Sequence, residues 1–295
     1  MTFEQLAIFV AVAEREHLTK AAASINLTPS AVSNAIKNLE HHYGVELFHR
    51  VGRRIELTES GRIFLGEAKS LLSRARAAEL VLSELGGMRR GTLSVFASQT
   101  IASYWLPSRL MRFHASHPGI DLTLTIGNTR TVADAVISGE ADVGFVEGDI
   151  DEPALAASVV AQDELVVVVS ASHPWARSGK PPSDELVAAP WVMREIGSGT
   201  RSVFEDALTE MGIKVEELTI AMVLPSNEAI LAALDDSLCV AAVSRLAAQQ
   251  HIEAGKLIEV DFCRPVREFR LLNHKERHSS RAASTLIEMC RVKST

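Results

Sequence analysis

Apolar residues at Phe3, Leu6, Ala7, Phe9, Val10 and Ala13 recur at the spacing of one helical face. They predict an amphipathic helix over Thr2 to Glu14, with Thr2 as its cap. A second, short helix fits Lys20 to Ile25, capped by Thr19. A third fits Ser30 to Tyr43 behind Thr28-Pro29, because proline is preset for a first helical turn. Only Asn26, Leu27 and Thr28 separate these two, and Ala21 and Ala22 are small enough to let them cross closely, which is a helix-turn-helix arrangement. Gly44-Val45 ends the third helix. Leu47-Phe48 then leads into two short extended segments, His49 to Arg54 and Ile55-Glu56-Leu57, that read as a wing with Gly52 at its tip. Thr58-Glu59-Ser60-Gly61 opens a long helix, apolar at Ile63, Phe64, Ala68, Leu71, Leu72, Ala75, Ala78, Val81, Leu82 and Leu85 and ending at Gly86-Gly87.

After Arg89-Arg90-Gly91 the period changes. Strand patterns at Thr92 to Ala97, Asp121 to Ile126 and Asp142 to Val146 alternate with helical ones at Pro107 to Ser116 and Thr129 to Ser138, as in a lobe built from βαβ units. A second lobe is implied by Glu164 to Ser170, Trp191 to Arg194, Thr200 to Met211, Leu218 to Val223, Ser226 to Leu234 and Cys239 to Val243. The expected fold class is α/β with an all-α winged helix-turn-helix head. The head occupies residues 1–58, a linking helix 59–90, and a two-lobed α/β part of the periplasmic-binding-protein kind 91–295.

At 295 residues the chain exceeds one ordinary core. Its 47% hydrophobic and 23% charged residues exclude extensive disorder. The first dozen residues lack the basic and apolar blocks of a secretory signal, and no apolar run is long enough to span a bilayer, so a cytoplasmic protein without a membrane partner is expected. Cys239, Cys263 and Cys290 are few and far apart, which suits buried small hydrophobes better than a disulfide framework or a zinc site. The net charge of -7 is unevenly spread. Residues 1–90 hold 12 Lys+Arg against 10 Asp+Glu, leaving 18 against 27 for the rest. Positive charge therefore gathers at the front, where Arg50, Arg53 and Arg54 lie close together with no acid between them, as contacts to phosphate require.

In a helix-turn-helix the second helix enters the major groove of double-stranded DNA by its N-terminal end. With Ala31, Val32, Ala35, Ile36 and Leu39 as the buried stripe, Ser30, Ser33, Asn34 and Lys37 face outward, next to Thr28 and Pro29. Asparagine can pair with adenine, and serine and lysine suit phosphates. The competing reading is a merely solvated helix face. The long helix needs a partner, and a second copy would place two such helices on a pseudo-palindromic site.

The front resembles the LysR-type transcriptional regulators. The resemblance runs through Phe9-Val10, Leu18-Thr19-Lys20-Ala21-Ala22, Leu27, Ser30-Ala31-Val32-Ser33, Ile36, Leu39-Glu40, Gly44-Val45-Glu46-Leu47-Phe48, Arg50, Leu57-Thr58 and Gly61. The chain departs from the family pattern at Glu16-His17 and at Asn34, and the second departure leaves the operator sequence open. The resemblance extends to the end of the chain, where Phe269 to Asn273 and a last helix near Arg281 to Arg291 match the family's return to the first lobe. It implies a homodimer, assembled further into a tetramer, with RNA polymerase as a candidate partner.

Ligands of open α/β sheets sit beyond the carboxyl ends of the strands. That rule selects Ser98, Gln99 and Thr100, then Asn128 and Thr129, then Glu147, and in the second lobe Ser198, Gly199, Thr200, Ser226 and Asn227. Hydroxyls and open amides at helix starts favour a small anionic effector, although any one of these loops could simply cap its helix. The family's effector site resembles this arrangement at Ser98, Thr100, Asn128, Thr129, Ser198 and Thr200. The Gly-Asn-Thr and Gly-Ser-Gly-Thr strings look most like its carbon-fixation and sulfur-assimilation branch. A periplasmic solute-binding protein shares the two lobes but not the ninety-residue front. An enzyme is the second rival, but no Gly-x-Ser-x-Gly elbow or Walker loop appears, and Gly197 to Thr200 lacks the lysine of a phosphate-transfer loop. No cofactor or metal is expected, because His41-His42 with His49, and His274 with His278, lack a completing carboxylate or thiolate at ligand spacing.

Overall fold

A computed structural model describes residues 1–51, 54–85, 91–148, 150–179, 181, 185–277 and 279–291. Two compact units divide the chain, Met1–Met88 with Ser138–Glu140, and Arg89–Ile137 with Ala141–Thr295.

The N-terminal unit begins with α1 (Phe3–Arg15). Thr2 caps it reciprocally: the Gln5 amide donates to Thr2 Oγ1 at 3.2 Å and the Thr2 amide to Gln5 Oε1 at 2.9 Å, satisfying two donors that a bare helix end leaves open. Helix α2 (Leu18–Ser24) starts earlier than expected. Thr19 lies inside it and the extended residue His17 holds the cap position, because Leu18 packs on the head core and draws the first turn inward. Asn26 turns the chain at φ 55, a conformation its short polar side chain tolerates. Helix α3 (Pro29–Tyr43) is capped by Thr28, whose hydroxyl accepts from the Ala31 amide, and ends at Gly44 with φ 64. Glu40 Oε1 accepts from the amides of Leu47 and Phe48 at 2.9 and 3.1 Å, fixing the turn into the wing. The wing is β1 (Phe48–Val51) antiparallel to β2 (Arg54–Leu57), with Phe48 opposite Leu57. Its expected tip, Gly52, lies outside the described residues, as do Gly86-Gly87 and Arg89-Arg90.

Helix α4 (Glu59–Leu85) leaves the wing through Thr58, whose Oγ1 accepts from the Gly61 amide at 2.9 Å. Phe9 joins the parts, its ring 5.3 Å from Phe48 and 4.8 Å from Phe64. Gly61 is obligatory here, since a Cβ on it would stand 2.1 Å from the Leu47 carbonyl oxygen. Gly61→Ala is expected to cost about 1–3 kcal/mol, the usual toll of overpacking against backbone, visible as a lower melting temperature of the head.

The C-terminal unit runs β3 (Gly91–Ser98), a π-helical turn (Ile101–Trp105), α5 (Pro107–Ser116), β4 (Ile120–Gly127), α6 (Thr129–Ser138) and β5 (Val143–Glu147). It continues with β6 (Leu155–Ser170), α7 (Pro174–Ser178), β7 (Trp191–Arg194), α8 (Gly199–Glu210), a 3-10 turn (Val215–Glu217) and β8 (Ile220–Leu224). It closes with α9 (Asn227–Leu234), β9 (Val240–Ser244), α10 (Arg245–Glu253), β10 (Leu257–Glu259), β11 (Val266–His274) and α11 (Arg281–Cys290). The strand order is β4-β3-β5-β11-β6-β9-β7-β8, with β10 also on β6.

Two long strands make this one continuous sheet out of two lobes. β3, β4 and β5 are mutually parallel and meet β11 antiparallel, while β7, β8 and β9 form the second parallel set. β6 pairs with β11 along its first part and with β9 from Leu165 onward, so it passes from one lobe into the other. Apolar cores sit on each side, around Phe113, Phe145 and Phe269 in the first lobe and around Trp191 and Phe204 in the second. The expected strand at Glu164 starts at Leu155 and the one at Phe269 starts at Val266. Both extra lengths carry Ala, Ser, Gln, Asp or Arg where a hydrophobic alternation would have marked them. α7, α10, β10 and the π turn were not anticipated by the sequence pattern.

Candidate functional sites

The outer face of α3 follows its pattern except at Ser33, and the buried stripe except at Ala31 and the half-buried Ala35. Thr28, Pro29, Ser30, Asn34 and Lys37 are exposed and Ser33 is half-buried. Ala31, expected in the buried stripe, is exposed, because the helix meets the core only from Val32 onward, through Val32, Ile36 and Leu39. Thr28 Oγ1 also lies 3.1 Å from Ser30 Oγ, so its hydroxyl orders the first turn as well as facing outward. Backbone pairing of Arg50 with Ile55 and of Arg54 with Val51 sets the wing strands. Arg53 and the side chains of Arg50 and Arg54 lie outside the described residues.

In the C-terminal unit the strand-end rule brings its residues together. Ser98, Gln99, Thr100 and Glu147 of the first lobe are buried with Ser198, Gly199, Thr200 and Asn227 of the second. The lobes touch at Gly199, where a Cβ would stand 2.7 Å from the Glu147 carbonyl oxygen and 3.1 Å from Thr129 Oγ1. Asn227 Nδ2 donates across the cleft to Gln99 Oε1 at 2.6 Å and to Thr100 Oγ1 at 3.0 Å. Three predicted residues serve local structure. Asn128 Oδ1 accepts from the Thr131 amide at the start of α6, Thr129 Oγ1 donates to the Glu147 carbonyl, and Ser226 Oγ caps α9 through the Ala229 amide.

The centre of the cluster is a pair that sequence reasoning missed. Arg267 on β11 and Asp163 on β6 face each other in register, and each side chain is 1% exposed. Arg267 Nε and Nη2 donate to Asp163 Oδ2 at 2.9 and 2.7 Å, Nη1 to Thr200 Oγ1 at 2.8 Å, and Nη2 to Thr100 Oγ1 at 3.3 Å. One guanidinium thus holds a hydroxyl from each lobe. Thr100 Oγ1 accepts from both Asn227 and Arg267, which uses its two lone pairs and leaves its proton to donate elsewhere. Ser244 Oγ completes the set on Asp163 Oδ1 at 3.0 Å.

A second buried cation, Arg194, is held by both carboxylate oxygens of Glu195 at 2.8 and 2.9 Å and reaches Gln99 Oε1 at 3.4 Å. A cavity of about 370 Å³ opens beside it, lined by Gln99, Gly127, Asn128, Arg194 and Glu195 among others. Gln99 Nε2 donates to Glu228 Oε2 at 2.6 Å, and the Tyr104 hydroxyl donates to Glu228 Oε1 at 2.9 Å. Partial burial works to raise the Glu228 pKa, but the hydrogen bonds from its own amide, Tyr104, Ser226 and Gln99 prevail and lower it. Burial, with the Glu228 carboxylate, pushes the Tyr104 hydroxyl well up.

Cys290 is buried, whereas Cys239 and Cys263 are half-buried rather than fully so. Burial pushes the Cys263 and Cys290 thiols up to about 11, away from reactive thiolate. Among the described residues no three His, Cys, Asp or Glu side chains gather to hold a metal, and His278 lies outside them. Among them also, no helix is long and apolar enough to cross a membrane.

Comparison with known proteins matches both units of the chain. Residues 3–62 match the family of bacterial regulatory helix-turn-helix proteins of the lysR type, and residues 86–294 match the LysR substrate binding domain. A relative from Escherichia coli strain K12, "Uncharacterized HTH-type transcriptional regulator YeiE", is 34% identical over 98% of this chain and 97% of its own. A "Probable RuBisCO transcriptional regulator" from Cyanidioschyzon merolae is 32% identical over 97% and 96%. A solved structure, full-length CbnR complexed with its target DNA, superposes with a TM-score of 0.69 at 24% identity, covering 98% of this chain and 99% of that one. With an outward polar face on a helix-turn-helix, a two-lobed ligand-binding domain behind it and relatives along its whole length, the chain belongs to the LysR family of DNA-binding transcriptional regulators.

Proposed function

We propose that the protein acts in the cytoplasm as a homodimer, paired further into a tetramer, whose hold on promoter DNA changes when a small anionic metabolite enters the cleft between the two lobes. In this reading residues 1–58 bind DNA, 59–90 dimerise and 91–295 sense the ligand, with lobe 1 formed by about 91–162 and 268–295. DNA is met by Thr28, Pro29, Ser30, Ser33, Asn34 and Lys37, with Arg50, Arg53 and Arg54 on the wing reaching phosphates. The observation that carries the ligand reading is the Arg267 guanidinium, which fixes the Thr100 and Thr200 hydroxyls of opposite lobes so that their protons are left for an oxyanion between them. Closure on such a ligand is a population shift and requires different affinities for the open and closed forms. Assembly is supported by apolar side chains left bare on α4, and by edge strands β4 and β8, which expose Ile126, Met222 and Val223. RNA polymerase is the partner through which a bound regulator would act.

Lys37→Ala tests the DNA face. Each phosphate contact removed lowers the slope of log affinity against log salt by about one. The variant should bind its own upstream region more weakly and with a shallower slope in a fluorescence-anisotropy salt titration. Wild-type slope and affinity in the variant would show that this face does not meet DNA.

A further inference from the structure

The sealed cluster offers more acceptors than an anion can use. Among the described residues, three buried atoms around it have no hydrogen-bond partner: Ser98 Oγ, Glu147 Oε1 and Asn227 Oδ1. Glu147 Oε1 lies 3.7 Å from Arg267 Nη2, an ion pair without hydrogen-bond geometry. The amide of Asn227 is oriented by its neighbours, because Nδ2 donates to Gln99 and Thr100, so the unused atom is the carbonyl oxygen. Two of the three orphans are therefore acceptors. Buried polar atoms are almost always paired, and an unpaired one is costly unless an absent molecule completes it.

Charge points the same way. Arg267 brings one formal positive charge, and Asp163 and Glu147 bring two negative ones, all nine-tenths or more buried. A dianion with no proton would add its lone pairs to those of Glu147 in a medium where like charges repel strongly. A ligand carrying a donor next to its charge meets both halves of the site. Its oxygens would accept from the hydroxyls of Ser98, Thr100 and Thr200 and from the open amides at the start of α8. Its donor would reach Glu147 Oε1 and Asn227 Oδ1.

We infer that the effector is a small oxyanion or carboxylate that retains a hydrogen-bond donor beside its charge, and that Glu147 with Asn227 reads that donor. The inference rests on the proposal that this cleft is the ligand site. A charge-assisted hydrogen bond in a buried site corresponds to a preference of about tenfold to a hundredfold for the donor-bearing member of a matched pair.

The full-length protein can be titrated calorimetrically at pH 7 and constant ionic strength with two pairs: inorganic phosphate, which keeps a proton, against sulfate, which keeps none, and glycolate against acetate. Phosphate and glycolate should bind at least tenfold more tightly than sulfate and acetate. Glu147→Gln removes the charge and supplies a donor of its own, so the preference should shrink or reverse. Thr100→Ala with Thr200→Ala should abolish binding of every member that binds the wild type. Equal affinities within each pair, lost in the threonine variant, would overturn the donor rule and leave the cleft as the ligand site. An unchanged preference in Glu147→Gln would remove Glu147 from the recognition. Binding that survives loss of both threonines would instead overturn the cleft, and silence from all four probes would overturn the ligand class.

Discussion

Asp163→Ala lowers the stability of the C-terminal unit by about 3–5 kcal/mol, the usual result of stranding one member of a buried ion pair. Two of the three donors on that carboxylate come from Arg267, which sits at 1% exposure and, among the described residues, keeps Glu147 at 3.7 Å as a second acid. The Ser244 hydroxyl loses its acceptor as well. For a domain of this size the melting temperature should fall by about 6–20 °C, at roughly 2–4 °C per kcal/mol. The companion experiment replaces both charges, Asp163→Leu with Arg267→Met. Apolar residues of similar volume commonly restore the stability of a buried pair, so the double variant should melt above Asp163→Ala, short of the wild type by the cost of leaving Glu147 without its neighbouring guanidinium. It should nevertheless fail to respond to ligand, because the guanidinium that ties the Thr100 and Thr200 hydroxyls together is then gone. A single variant melting within 1 kcal/mol of wild type would mean that the pair is not the keystone its geometry makes it.

That pair marks the limit of what the chain discloses by itself. Helices such as Pro107–Ser116 and Thr129–Ser138 fall on the residues their periodicity predicts, because an amphipathic stripe is a local property. The loop residues of the cleft are found by a rule about strand ends, which needs only the order of the elements. Arg267 escapes that rule, since it lies within a strand and its partner is 104 residues away. Pairing registers are non-local, so no spacing near Arg267 names Asp163. One signal was present. Arg267 shares the parity of Phe269 and Leu271, both fully buried, and a charge on the inward side of a strand is rarely there without a partner or a task. Starting the strand at Phe269 hid that parity.

The largest effect on DNA binding is expected from residues outside the proposed DNA face. Helix α4 contributes Phe64, Leu65, Ala68 and Leu72 to the head core, but Leu71 and Leu82 are 38% and 69% exposed. Leu71, Ala75, Ala78 and Leu82 step by four, three and four residues, the seam of a left-handed helix pair. Leu71 and Leu82 are separated by about 16 Å along the axis at 1.5 Å per residue, so a partner seated on this seam lies along the helix rather than at one end. If that partner is a second α4, it joins two α3 helices on one duplex, and the second contact is made at high effective concentration. Leu71→Glu with Leu82→Glu places like charges in the seam while leaving the head core untouched. The variant should sediment as a smaller assembly than the wild type and lose about 10²–10⁴ in affinity for a two-half-site operator, the advantage that linkage provides. Its affinity for a single half-site should stay unchanged. A variant that sediments like the wild type would place the dimer contact elsewhere, and one that sediments as a smaller assembly yet binds the full operator with wild-type affinity would refute the paired-helix mode of recognition.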